Sequence, residues 1–231
     1  MYFTSYAGGR PDLYLAGING GPWKAISRQK GLNTGATLSP GKVQIGGTTY
    51  PRLLALSLSK DGNSEIYLLK PGGAIVARLT NHWGIDSSPT WSPDGKKVAF
   101  VSNRGGSPQI YTITLTTKTL RRMTFQGNYN QTPAWSPRGD LIAFTGRDER
   151  NVFDLFTVDA QTQKVTRLTQ SQGHNEEPSW APNGRLIVFT STRAGQGPRL
   201  YVMREDGRHH RLLNTKLGEA TTPRWSGFIT R

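Results

Sequence analysis

Polar side chains recur at one point of a repeated sequence, just before each Pro-x-Trp step or its equivalent. The amide, carboxylate, hydroxyl and imidazole groups found there belong to Asn33, Thr34, Asp86, Ser87, Asn130, Gln131, His174, Asn175, Glu176, Glu219 and Thr221. Because several of them are hydrogen-bond acceptors, a rim built from them would suit a partner's loop or a hydrated cation. We therefore predict a partner-binding site at these residues. The alternative is that they cap turns and bind water, as polar loop residues commonly do.

The same positions offer little for catalysis. Of the four histidines only His174 stands among them, whereas a catalytic metal site uses about three protein ligands. No G-x-S-x-G turn, paired-carboxylate pattern or phosphate-binding loop stands out in the sequence. The sequence therefore predicts no catalytic residue, no metal ligand and no cofactor, although a cation in a central channel stays open as an alternative.

The elements that would position the polar residues follow from the repeat itself. Four tryptophans stand 44, 45 and 45 residues apart, at Trp91, Trp135, Trp180 and Trp225. Each unit consists of short runs with β character, separated by turns such as SPDG, SPRG and APNG. Four antiparallel strands per unit of about 45 residues match one blade of a β-propeller. The repeated tryptophans are predicted to pack between neighbouring blades.

The two ends of the chain complement each other in this repeat. The opening residues align with the second to fourth strands of a unit, and TTPRWSG near the C-terminus supplies only a first strand. Pairing them would complete one composite blade and leave no open sheet edge. We therefore expect an all-β β-propeller of about five four-stranded antiparallel blades, closed by that composite blade, in a single domain. The expected blades are residues 1–31 with 219–231, 32–83, 84–127, 128–172 and 173–218.

Composition excludes several classes of protein. The chain has 231 residues, no cysteine, and 29 Lys and Arg against 15 Asp and Glu, which gives a net charge of +14. Disulfide and thiolate chemistry are therefore excluded. No run approaches the roughly 20 apolar residues of a membrane span, so we expect no membrane insertion. The basic residues are scattered and are not interleaved with stacking aromatic residues, so we expect no nucleic acid partner.

A longer pattern carries a family resemblance. The consensus PxWSPDGxxxAFxSxRxGxxxIYxxxxxxxxxRxLT, carried by residues 88–124, 132–169 and 177–213, is similar to the repeats of TolB-type propellers, and the likeness covers nearly the whole chain. The resemblance implies a non-enzymatic periplasmic part of the Tol-Pal system that supports envelope integrity, cell division and protein import. It also implies that a Pal-like peptidoglycan-associated lipoprotein binds at the channel mouth, where the polar rim is expected.

The sequence departs from that family pattern in several respects. It is expected to lack the N-terminal α/β domain, which puts a contact with TolA in doubt, and it has no export signal. About five blades stand where six are usual, and residues 39–53 replace a short turn with a longer Gly-rich segment. A monomer is expected. The alternative function is the propeller module of an enzyme, either a prolyl-oligopeptidase-like peptidase or a metal-dependent oligosaccharide lyase, whose catalytic part is missing.

Overall fold

The computed structural model describes residues 1–195, 197–214 and 218–225. All regular secondary structure within these residues is β-strand, which confirms the predicted all-β class. Five antiparallel sheets follow one another along the chain, one with three strands and four with four strands. In the described part of the chain no helix is long and apolar enough to cross a membrane. The chain divides into two compact units, residues 1–122 and 123–231.

The first unit contains three of the sheets. Sheet 1 consists of β1–β3 (Tyr2–Ser5, Asp12–Leu15 and Lys24–Ser27). Sheet 2 consists of β4, β7, β8 and β9 (Asn33–Leu38, Leu54–Leu58, Glu65–Leu69 and Ile75–Arg78), with a separate hairpin of β5 and β6 (Val43–Ile45 and Thr48–Tyr50) between its first two strands in sequence. Sheet 3 consists of β10–β13 (Asp86–Trp91, Lys97–Ser102, Gln109–Thr114 and Leu120–Arg122).

The hairpin accounts for the longer segment at residues 39–53. Val43 is buried and belongs to a hydrophobic cluster with Trp91 and other residues of sheets 2 and 3. Ile45 and Tyr50 pack against that cluster. The inserted residues therefore extend the core of the first unit.

The second unit contains the other two sheets. Sheet 4 consists of β14–β17 (Asn130–Trp135, Leu141–Arg147, Phe153–Asp159 and Val165–Arg167). Sheet 5 consists of β18–β21 (Asn175–Trp180, Leu186–Ser191, Arg199–Arg204 and Arg211–Leu212). Because consecutive strands are antiparallel, the start of the first strand, the end of the second and the start of the third lie at the same end of each sheet. We call this the leading end of a sheet, and the opposite end the turn end.

The turns between first and second strands form as their sequences predict. In sheet 3, Gly95 adopts a φ of 68° and donates its N–H to the Ser92 carbonyl at 2.9 Å. The Asp94 carboxylate accepts a hydrogen bond from the Lys96 amide at 3.0 Å. Gly184 of sheet 5 also has a φ of 68°. The left-handed backbone explains why glycine ends these turns.

A bulge interrupts the first strand of sheets 2 to 5 at the same repeat position. The residues there have left-handed φ values of 66°, 53°, 49° and 58°, at Gly35, Ser88, Thr132 and Glu177 respectively. Strand pairing shifts in register across each of them. Bulges redirect the side chains beside them. In sheets 3 to 5, the bulge therefore lies between the polar residues at the leading end and the regularly paired residues that include the tryptophan.

Two of the repeated tryptophans link neighbouring sheets, as predicted. The Trp91 indole N–H donates to the Thr37 carbonyl of sheet 2 at 3.1 Å, and the Trp180 indole N–H donates to the Ala134 carbonyl of sheet 4 at 2.9 Å. Both indoles are buried in hydrophobic clusters that they share with the preceding sheet. Trp135 instead donates to the Gly139 carbonyl of its own turn at 3.3 Å.

The described residues do not contain the predicted composite blade. Sheet 1 has three strands, and residues 218–225 form no strand. The amide of Thr222 donates to the Glu177 carboxylate at 2.6 Å, and the amide of Trp225 donates to the Ser179 hydroxyl at 3.3 Å. These backbone groups are thus bound by side chains of β18.

The remainder of that prediction falls on residues 226–231, which lie outside the described residues. The composite blade, the single domain over residues 1–231 and the blade limits given above therefore stay predictions. The count of about five blades agrees with the five sheets, of which four have the expected four strands.

Candidate partner-binding site

The predicted site residues separate into a buried set and an outer set. The buried set stands at the start of the first strand in sheets 2 to 5, and each member is at most 4% exposed: Asn33, Asp86, Asn130 and Asn175. The outer set is partly or fully exposed: Thr34, Ser87, Gln131, His174, Glu176, Glu219 and Thr221. The two sets make different contacts.

In the second unit, Asn175 shows what the buried position does. Its Oδ1 accepts hydrogen bonds from Ser191 Oγ and Arg193 Nη2, both at 2.8 Å. Its Nδ2 donates to Asp154 Oδ1 of sheet 4 at 3.0 Å. Asn175 therefore joins two sheets, and its polar atoms are used within the chain.

In the first unit, Asp86 occupies the equivalent position in sheet 3. Its carboxylate accepts a hydrogen bond from Arg104 Nη2 at 2.7 Å. Burial raises the pKa of Asp86 and the neighbouring Glu65 carboxylate adds to the rise, whereas Arg104 acts to lower it. Asn33 of sheet 2 accepts a hydrogen bond from the Ser27 hydroxyl at 2.6 Å. Asn33, Asp86 and Asn175 thus fit the capping alternative, because a partner would not reach these side chains.

The outer set of the second unit is held at the leading ends of sheets 4 and 5. His174 is exposed, yet its Nδ1 accepts a hydrogen bond from the Phe153 amide at 3.2 Å and its own amide donates to Thr192 Oγ1 at 2.9 Å. Nδ1 therefore fixes the imidazole, while Nε2 has no hydrogen-bond partner in the part of the chain that the structure describes. Within residues 1–195, 197–214 and 218–225, no three acidic or histidine side chains lie together as a metal site.

Two adjacent glutamates follow His174. Burial raises the pKa of Glu176, and the neighbouring Glu177 carboxylate adds to the rise. Glu177, at the bulge, accepts hydrogen bonds from Thr190 Oγ1 at 3.1 Å and from the Thr222 amide at 2.6 Å. Glu176 is thus the half-buried acid that stands beside His174 in the outer set, while Glu177 holds the described C-terminal residues.

The other members of the outer set are spread over both units. In the first unit, Thr34 and Ser87 precede the bulges of sheets 2 and 3 and are partly exposed. In the second, Gln131 precedes the bulge of sheet 4, and Glu219 and Thr221 lie exposed in the described C-terminal residues.

A cluster that the sequence did not predict lies beside His174. The guanidinium of Arg147 is 4.7 Å from the ring centre of Tyr129 and 5.0 Å from that of Phe153. Phe153 in turn contacts the His174 ring, with 5.7 Å between centroids. We call Tyr129, Arg147, Phe153 and His174 the aromatic–arginine cluster. Its signal in the sequence was the stretch TGRDER, which differs from VSNRGG and TSTRAG at the same repeat position.

A cavity of about 520 Å³ adjoins this cluster within the second unit. Its lining includes the amide side chains of Gln126, Asn128 and Asn130, the aromatic rings of Phe144 and Phe156, and the charged groups of Arg147, Asp148, Glu149 and Arg167. Polar groups on an apolar floor are typical of ligand and partner sites. The leading end of sheet 4 therefore combines a concave surface with an arginine held by aromatic rings.

These features define the class of protein. Antiparallel four-stranded sheets that repeat about every 45 residues, with tryptophans packed on the preceding sheet, are the blades of a β-propeller. Residues 1–229 match the family model of the TolB beta propeller domain. The chain belongs to the TolB β-propeller family.

Individual relatives agree with this assignment. The chain is 41% identical over 104 residues to a protein TolB homolog of Chlorobium chlorochromatii, a match that covers 45% of this chain and 21% of the relative. It is 42% identical over 84 residues to the Tol-Pal system protein TolB of Desulfosudis oleivorans, covering 36% and 17% of the two chains. The crystal structure of TolB from Acinetobacter baumannii superposes with a TM-score of 0.81 at 32% identity, over 96% of this chain and 53% of that one. The chain thus spans about half the length of that solved relative.

Proposed function

We propose that this chain is a non-enzymatic, protein-binding propeller of the Tol-Pal envelope system, and that its partner is a Pal-like peptidoglycan-associated lipoprotein. Membership of the TolB propeller family supports this proposal, as does the Tol-Pal name of one relative. The proposal includes a periplasmic location and a contribution to envelope integrity, cell division and protein import. Contact with TolA is left out, because the family resemblance assigns it to a segment outside the propeller.

The observation that carries the proposal is the leading end of the second unit. Tyr129, Arg147 and Phe153 are partly buried and His174 is exposed, and they form one contiguous cluster beside the half-buried Glu176. Tyrosine and arginine are over-represented among the residues that dominate protein–protein affinity. This composition fits a protein partner better than a rim of small polar residues alone would.

The cluster is also held rigidly, which favours binding. The Phe153 amide bonds the His174 ring, and the His174 amide bonds Thr192. The guanidinium of Arg147 packs against two aromatic rings. Since less side-chain freedom remains to be lost, the entropy cost of association is lowered.

The enzyme alternative finds less support at this site. His174 Nδ1 already accepts the Phe153 amide, and the acid beside it, Glu176, has a pKa raised by burial. A metal-dependent lyase would require further ligands around the remaining nitrogen of His174. We therefore base the proposal on partner binding.

The test is a calorimetric titration with the purified soluble domain of a Pal-like lipoprotein. The double variant H174A/E176Q is expected to bind at least 10-fold more weakly than the unaltered chain. The control D206N/R208Q alters two exposed residues at the turn end of sheet 5 and should bind within twofold. Matching melting curves would show that all three proteins fold. Equal affinities for all three would contradict the site, and no binding by the unaltered chain would contradict the proposed partner.

A further inference from the structure

The second strand of sheet 4 ends differently from those of sheets 3 and 5. Sheet 3 has Ser102, Asn103 and Arg104 at this point, and sheet 5 has Ser191, Thr192 and Arg193. Sheet 4 has Gly146, Arg147 and Asp148. The arginine has therefore moved by one residue, and an acid occupies its usual position.

In sheets 3 and 5 the arginine side chain makes hydrogen bonds within the chain. Arg104 donates to Asp86 at 2.7 Å and to Ser102 Oγ at 2.8 Å, and its guanidinium lies 5.3 Å from the Tyr111 ring centre. Arg193 makes the equivalent bonds to Asn175 and Ser191. These two arginines hold the leading ends of their sheets together.

In sheet 4, ion pairs of Asp148 stand at this position instead of an arginine bound to the first strand. Asp148 pairs with Arg167 at 2.8 Å and with Arg150 at 3.2 Å. Burial acts to raise the pKa of Asp148, but hydrogen bonds from the Val152 amide and the Arg167 guanidinium lower it to about 2. Asp148 is therefore an ionised, satisfied acid that does not depend on Arg147.

Among the described residues, the side chain of Arg147 has no hydrogen-bonding partner. Its guanidinium packs against both Tyr129 and Phe153, whose ring centres are 5.9 Å apart, and its buried Nε has no acceptor among the described residues. No salt bridge of Arg147 occurs within the described part of the chain either. Leaving a guanidinium without acceptors is costly, and because Arg147 lines the cavity, its Nη groups can reach a ligand there that supplies them.

The cavity beside Arg147 provides the space for that ligand. Gly146 lets two lining side chains of this cavity pack closely against the strand, because a Cβ there would lie 2.8 Å from Asn130 Oδ1 and 2.9 Å from carbons of the Phe156 ring. Amide groups of Gln126 and Asn128 line the same cavity. Amide N–H groups can bind the carboxylate oxygens that the guanidinium leaves unbound.

We propose that Arg147 is a preformed anchor for a carboxylate side chain from an acidic segment of a protein partner. A planar guanidinium binds carboxylates through two parallel hydrogen bonds, and packing against Tyr129 and Phe153 limits the movement of this one before a partner binds. The net charge of +14 favours an acidic partner over long range. The inference rests on the proposed protein-binding function and names the chemistry of the partner surface.

The first test uses a capped decapeptide of alternating Glu and Gly as the probe. In fluorescence or NMR titrations, R147Q is expected to bind it at least 10-fold more weakly than the unaltered chain, and R147K should lie between them because it keeps the charge but loses the fork. The control R208Q, which removes one exposed charge from the turn end, should bind normally. A matched Gln–Gly peptide should not bind, and inorganic phosphate should not compete at millimolar concentration.

Several results would overturn the inference. Equal binding by R147Q and R208Q would show that only net charge matters, and competition by phosphate would indicate a phosphate ligand instead of an acidic protein. If R147Q does not fold, the Nε–H resonance of Arg147 in the unaltered chain decides, since it must shift on addition of the Glu peptide. A lipoprotein titration separates this inference from the proposed function: if H174A/E176Q lowers affinity and R147Q does not, the anchor is refuted and the proposed function stands.

Discussion

The carboxylate of Asp86 accepts a hydrogen bond from the Arg104 guanidinium at 2.7 Å, and the acid is completely buried. In the second unit the same geometry is formed by Asn175 with Arg193, at 2.8 Å. An amide therefore suffices for this contact. Sheet 3 thus buries an acid where sheets 2, 4 and 5 each place a neutral asparagine.

We expect D86N to stabilise the chain at neutral pH. Because the pKa of Asp86 is raised above its ordinary value near 4, its protonation stabilises the fold at low pH, and that contribution is lost as the pH rises through the raised pKa. At pH 7 the variant avoids burying this charge beside Glu65. Urea unfolding should show a gain of about 1 kcal/mol at pH 7 that shrinks toward pH 4.

The reverse substitution provides the control. N175D places a carboxylate against Asp154, so it should destabilise the chain at pH 7 and become less harmful as the pH falls. A loss of stability in D86N at pH 7 that persists at pH 4 would mean that the Asp86–Arg104 ion pair outweighs the cost of burial.

Gly73 and Gly72 offer a comparison between two neighbouring glycines in the turn between β8 and β9. Gly73 has a φ of 99°, and a Cβ there would overlap the Ile26 carbonyl oxygen of sheet 1. Nothing lies within 4 Å of a Cβ on Gly72. G73A should therefore cost about 2 kcal/mol or more, whereas G72A should stay within about 0.5 kcal/mol in thermal or urea unfolding. Equal effects would show that the turn can move away from sheet 1.

Trp180 should be among the most sensitive side chains of the second unit. It is 7% exposed and donates a hydrogen bond to Ala134 of the preceding sheet. W180A is expected to cost about 3–5 kcal/mol, because it opens a cavity between the sheets and leaves the Ala134 carbonyl without its donor. Trp83, which is 75% exposed, is the matched control, and W83A should change stability by less than about 0.5 kcal/mol. Similar unfolding midpoints for both variants would refute the role given to Trp180.

The sequence predicted the repeating parts of the molecule well, because each strand and turn carries its own local signal. The SPDG-type turns, the third strand at Gln109–Thr114 and the packing of Trp91 and Trp180 follow from residue type and period. Pairing of the two chain ends depends on contacts between segments far apart in sequence. No local pattern determines such a contact, and the pairing stays a prediction because residues 226–231 lie outside the described residues.

The candidate site was only partly predictable for a related reason. Residue type marked Asn175 and His174 alike as polar rim residues, but burial separates them: one joins two sheets and the other is exposed. Arg147 is not predictable from the repeat, because it does not occupy a repeating position. Its importance lies in departing from the repeat, where Arg104 and Arg193 have the structural role.

The central claim is that a protein partner binds the leading ends of the sheets in the second unit. Hydrogen–deuterium exchange of the chain with and without the soluble domain of a Pal-like lipoprotein tests it directly, because each sheet carries its own control at its turn end. The account predicts slower exchange in residues 126–131, 147–153 and 171–177 when the partner is bound. Slower exchange confined to the turn-end residues 136–140, 160–164 and 181–185, with no change at the leading ends, would contradict it.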